Sequence, residues 1–205
     1  MLNHGDDTMM RSTGFTLVEM MIAVVIMAIL LAVGMPGFQA FIQNTQIRTA
    51  ADSMQAGLNL ARAEALRRNA RVSLWVVSGI DATCVQSNTG NSWVVSFTDP
   101  AARCGAAASD SAAPGLIQAR SGSDGSSGVN VTALTGADAA SSCITFNGFG
   151  GVETTCTGGA SPLARISFVS AAAPATTRAL EVHVTPGGAI RMCDPNAADG
   201  TPTRC

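Results

Sequence analysis

From residue 15 to residue 35 the chain carries a single charged side chain, Glu19. A helix of about 20 apolar residues matches the hydrocarbon core of a bilayer, and a small soluble domain offers no interior able to cover one on every side. The order of the flanks is equally informative. Residues 1–14 are mostly polar and end in Arg11, Ser12, Thr13 and Gly14. A secretory signal peptide keeps its small-residue cleavage site after the apolar region. Here Gly14 stands before it, so a cut after Gly14 would leave the apolar segment on the mature chain, starting at Phe15. Arg11 holds its flank on the cytoplasmic side, which sends the following domain across the membrane.

Gly34 and Pro36 interrupt the run. A proline inside a helix deletes one hydrogen bond and bends the axis. Beyond it Ile47, Ala51, Met54, Leu58, Ala61 and Ala65 form one helical stripe, with Arg48, Asp52, Gln55, Asn59 and Arg62 off it. The stripe is narrow and alanine-rich, which suits close packing against a sheet. A helix from residue 15 to residue 68 would be about 80 Å long. Arg67, Arg68 and Arg71 crowd its C-terminal end, where positive charge complements the helix dipole.

From Val72 the apolar period changes to two. Segments 72–77, 93–97, 129–134, 144–146, 164–169, 180–184 and 189–192 read as strands separated by Gly, Pro, Asn, Asp and Ser. Most of 101–142 is Ala, Gly, Ser and Thr and reads as long, mobile loops. The expected fold is α+β: a long N-terminal helix, transmembrane and then amphipathic, packed on a C-terminal antiparallel sheet or sandwich. The expected organisation is a leader at 1–14, a membrane helix at 15–35, an amphipathic helix at 36–70 and a β-rich domain at 71–205.

The last two strands flank Thr185, Pro186, Gly187 and Gly188. A three-residue loop from Pro186 to Gly188 sets Val184 opposite Ile190 and Val182 opposite Met192, with a positive φ at Gly188. A Gly187-Gly188 loop would instead mix the faces. The three-residue register puts His183 opposite Arg191 on the outer face and Glu181 diagonal to Arg191, as its expected ion-pair partner. Cys193 shares that outer parity, so residues 194–204 must fold back for Cys205 to reach it.

Six cysteines, Cys84, Cys104, Cys143, Cys156, Cys193 and Cys205, suggest an oxidising compartment. None form C-x-x-C and no histidine is near them in sequence, which argues against structural zinc. Fifteen pairings are possible, and sequence-adjacent pairing is the simplest because each bridge closes one local loop. Cys143 and Cys156 flank a turn at 147–151. The only histidines are His4 and His183, and there is no Ser/His/Asp order, paired-carboxylate signature or phosphate-binding glycine pattern. The sequence therefore points away from an enzyme and asks for no cofactor and no metal. Charged residues are 13% of the 205, with a net charge of −2, so no basic field draws the chain to nucleic acid.

The run Gly14-Phe15-Thr16-Leu17-Val18-Glu19 resembles the prepilin-peptidase site of type IV pilins and type II secretion pseudopilins. The resemblance implies cleavage after Gly14, methylation of Phe15, and pairing of Glu19 with the free amine of a neighbouring subunit's first residue. It also places Pro36 where the family's helix curves or melts on assembly. The stretch 59–69 resembles the helix end of the GspH/FimT branch, and the likeness is firmest over 12–72 and returns at 187–193.

Several functions follow from this resemblance. The first is a FimT/FimU-type minor pilin in the inner membrane, single-pass with a periplasmic domain, acting in pilus assembly with other pilin subunits. The second is a GspH-type pseudopilin of type II secretion. The third is a DNA-binding pilin for natural transformation, since FimT proteins of that kind bind DNA through a C-terminal Gly-Arg-x-Arg pattern. Here the matching stretch is Gly188-Ala189-Ile190-Arg191, so the first arginine is missing. Arg191 and Arg204 are the remaining candidate DNA contacts, in a domain with more acids than bases from Val72 onward.

Overall fold

A computed structural model describes residues 15–172 and 177–205, with the side chains of 33–37 left aside. Gly14, His4, Arg11 and the expected leader lie outside the described residues, as does the side chain of Pro36. Helix α1 spans Leu17–Arg68, so Pro36 does not end it. The chain divides into two units with the boundary between Gln39 and Ala40. Among the described residues no helix is long and apolar enough to cross a membrane.

In the second unit the helical stripe is buried as expected. Ile47, Ala51, Met54, Leu58, Ala61 and Ala65 all have negligible exposure. Gly57 extends the stripe. A Cβ there would sit 2.9 Å from the Trp93 ring, so the absent side chain lets the sheet approach. The helix ends at Asn69, which adopts a left-handed φ of 47° while its N–H reaches the Leu66 carbonyl.

Eight strands follow: β1 (Val72–Val77), β2 (Ser92–Ser96), β3 (Leu116–Arg120), β4 (Val129–Leu134), β5 (Cys143–Phe146), β6 (Arg165–Ser170), β7 (Leu180–Val184) and β8 (Ile190–Cys193). They form two antiparallel four-stranded sheets, ordered β3-β2-β1-β5 and β4-β6-β7-β8. One apolar core joins the helical stripe to Val72, Leu74, Val76 and Phe146 of the first sheet and to Val131, Ile166, Phe168 and Val182 of the second. A second cluster lies on the other face of the first sheet. It holds Trp75, Val77, Val94 and Leu116 with Cys84, Cys104, Cys143 and Cys156.

β3 corrects the expectation of loop throughout 101–128. Leu116 joins the second cluster while Ile117 packs against the first. Only these two adjacent residues are large and apolar, and Gln118 and Arg120 are exposed, so the strand offers too short an apolar pattern for a period-two signal.

Candidate functional site

At the start of α1, Thr16 caps the helix: the Glu19 N–H donates to its hydroxyl at 3.2 Å. Thr16 and Glu19 have the T-x-x-E spacing of a capping box, a signal that sequence reading missed. The first turn of a helix is also where its dipole accommodates an acidic side chain. Among the described residues its carboxylate makes no hydrogen bond or ion pair. Around it the apolar side chains stand uncovered, with Phe15, Leu17, Met21, Val25 and Leu30 all mostly exposed. An uncovered apolar surface of this kind marks an interaction site.

At the end of the same helix, Arg68 is a clamp. It donates to Glu64 at 2.7 Å and to Asp110 at 2.6 Å, and its guanidinium lies 5.1 Å from the centre of the Phe97 ring. The hydrogen bonds from Arg67 and Arg68 hold the Glu64 carboxyl below its ordinary range. Arg71 faces Glu153 at 3.8 Å. These arginines are thus more than dipole partners, and Arg68 ties the helix end to the loop before β3. Arg62 donates to the Gly150 carbonyl at 3.1 Å, next to the β7–β8 turn.

The β7–β8 hairpin has the expected register: Val184 faces Ile190, Val182 faces Met192 and His183 faces Arg191. Gly188 has a φ of 77°, and a Cβ there would meet the Gly150 carbonyl oxygen at 1.9 Å. The expected Glu181–Arg191 pair is not what forms. Glu181 instead bonds His183, two positions along its own strand, at 2.7 Å. Both side chains project on one face of β7, so the contact needs no cross-strand reach. Arg191 is exposed, and no ion pair involves it among the described residues. Arg165 of β6 flanks His183 on the other side and bonds Asp138 at 2.7 Å.

The tail folds back as the hairpin required. Asp194 and Arg204 form a parallel bridge, and the Asp194 N–H reaches the Thr203 carbonyl at 2.7 Å. Arg204 is engaged by Asp199 at 2.7 Å and by the Ala197 carbonyl at 2.8 Å. The cysteines pair in sequence-adjacent fashion: Cys84–Cys104, Cys143–Cys156 and Cys193–Cys205. The last bridge brings its sulfurs beside the His183 ring, so the sequence distance between histidine and cysteines is no guide to their separation in space. The two arginines proposed for DNA differ in standing, one exposed and one taken up by the tail.

A capped apolar helix that continues into an amphipathic stripe under two antiparallel sheets defines a pilin-like subunit. The sequence profile of the family described as "Type II transport protein GspH" matches residues 50–188, and a prokaryotic N-terminal methylation motif matches residues 9–35. The chain belongs to the GspH family, a family of minor pilins and pseudopilins. Among solved structures it is similar to the type IV minor pilin FimU of Pseudomonas aeruginosa, with 13% identity over 75% of this chain and 98% of that one and a TM-score of 0.45. It is also similar to the minor pseudopilin EpsH from the type 2 secretion system of Vibrio cholerae, with 12% identity over 74% and 99% of the two chains and a TM-score of 0.45. No curated relative matches by sequence.

Proposed function

We propose that the chain is a non-enzymatic minor type IV pilin, cut after Gly14 by a prepilin peptidase and methylated on Phe15. Residues 15–35 anchor it in the inner membrane, with the β-rich domain on the periplasmic side, until it joins a filament through that same helix. The observation that carries this reading is the uncovered apolar surface around Glu19, within the matched methylation motif. In the filament, Glu19 accepts the amine of a neighbouring subunit's Phe15, and Pro36 marks where the helix adapts to its neighbours. A charge in an apolar segment calls for such a partner. A pseudopilin role in type II secretion is the second reading, favoured by the description of the matching family.

Intact mass of the subunit taken from filaments tests the first step. The expected species begins at Phe15 and carries one added methyl group. A full-length chain in assembled filaments would refute the processing. Glu19→Ala is expected to leave the β-rich domain folded and to lose competition with wild type for incorporation. Equal incorporation would refute the pairing. Deleting the gene separates the two machines, since a minor pilin costs surface pili and a pseudopilin costs secreted protein.

A further inference from the structure

We propose that Cys193, Cys205 and His183 form a zinc-class metal site when the Cys193–Cys205 bridge is reduced. One ligand atom from each of the three lies within 4.8 Å of the others, the only such group among the described residues. Tetrahedral zinc with sulfur and nitrogen ligands asks for ligand atoms about 3.5 Å apart. Small side-chain movements therefore suffice. Two of the ligands are held firmly. His183 stands on β7 and Cys193 on β8, strands paired by their backbones. The third, Cys205, is exposed and lies on the folded-back tail, so it has room to adjust.

Glu181 completes the arrangement. It lies opposite Cys193 across the ladder and holds the His183 Nε2 at 2.7 Å. With Nε2–H donating to the carboxylate, the lone pair of the neutral ring is on Nδ1, free for a metal. A carboxylate behind a ligating histidine is the usual support of such sites.

The Cys193–Cys205 bridge makes the site depend on redox state. Arg165 and Arg191 flank His183 on both neighbouring strands. An intact disulfide offers a divalent metal no thiolate ligand. Reduction removes that obstacle. A dithiol reductant gives two electrons and two protons to the Cys193–Cys205 bond, leaving two thiols here and a disulfide on the reductant. Metal binding then releases the two thiol protons. The two thiolates offset the metal's charge. The other four cysteines are buried in the second apolar cluster, with no histidine beside them, and are shielded from the same exchange. The tail is thereby held by a bridge in oxidising surroundings and by a metal in reducing ones.

The test uses the full chain in detergent micelles, treated with limiting phosphine until mass spectrometry shows only Cys193 and Cys205 freed. Cobalt(II) is titrated first and zinc second. Thiolate-to-cobalt charge transfer and tetrahedral ligand-field bands are expected in the reduced chain and not in the oxidised one, with zinc displacing the cobalt. His183→Ala is expected to weaken binding by about tenfold or more, and Cys193→Ser with Cys205→Ser to abolish it. Bands absent from the reduced wild type overturn the proposal. So do equal affinity in His183→Ala, bands persisting in the double serine variant, or loss of the β-sheet circular-dichroism signal on selective reduction.

Discussion

In β1 every residue is buried, whereas in β7 buried positions alternate with partly exposed ones. Both strands supply inward residues to the same core, so the difference lies on their other faces. The outer face of the first sheet is roofed by loops pinned through Cys84–Cys104 and Cys143–Cys156, with Trp75 beneath them. The Ser73 and Thr145 hydroxyls share a buried hydrogen bond of 2.7 Å on that face. The outer face of the second sheet keeps Glu181, His183, Arg165 and Arg191 within reach of water. Two disulfides thus turn loop sequence into a second core without adding an element, a device suited to a small domain. The face left open is the one that carries chemistry.

Replacing the outward aromatic tests this contrast hardest. Trp75→Ala is expected to cost about 3–5 kcal/mol, a core-sized loss, in denaturant unfolding of the full chain. His183→Ala, outward on the other sheet, should stay within about 0.5 kcal/mol. Similar costs for the two would mean that the loops do not roof the first sheet.

Cys84→Ser with Cys104→Ser is expected to cost about 2–4 kcal/mol. Removing Cys193–Cys205 in the same way should cost less, because Cys205 is exposed while Cys84 and Cys104 leave buried hydroxyls in an apolar cluster. Equal midpoints for the two variants would make burial irrelevant to what each bridge contributes.

Gly188→Ala probes where the end loops of the two sheets touch. A positive φ and a Cβ driven against the Gly150 carbonyl should cost about 1–3 kcal/mol. A neutral substitution would show that the hairpin can move away from Gly150.

The smallest effect is electrostatic. Burial raises the pKa of Asp194, but the hydrogen bonds from Arg178 and the Asn196 N–H outweigh it, leaving the carboxyl below its ordinary range. A lowered folded pKa means stability that is present above the unfolded value and lost as pH falls through the folded one. Wild type should therefore lose more stability than Asp194→Asn on going from neutral pH into the acid range below ordinary carboxylate values. Parallel pH curves for the two proteins would remove this ion pair from the tail's support.

Much of the molecule was legible in sequence because it is written in short-range patterns. The helical stripe from Ile47 to Ala65, the strands at 129–134 and 180–184, and the Gly188 turn each depend on neighbours a few residues away. The Gly14-to-Glu19 spacing and the bare apolar run are local in the same sense. What escaped was set by more than one environment at once. β3 gave no readable period because its two large apolar residues, Leu116 and Ile117, are adjacent and serve different clusters. Arg68 found Asp110, 42 residues on.

The sequence by itself determined the order of elements, the polarity of the N-terminal segment and the register of the last hairpin. Periodicity and turn chemistry act over a few residues and need no other part of the chain. Tertiary structure alone decided which face of each sheet would be roofed, that Glu181 would hold His183 rather than Arg191, and that His183 would stand beside Cys193 and Cys205. Those outcomes depend on sheet order, loop folding and cross-links, which bring together residues whose sequence separation says nothing of their distance.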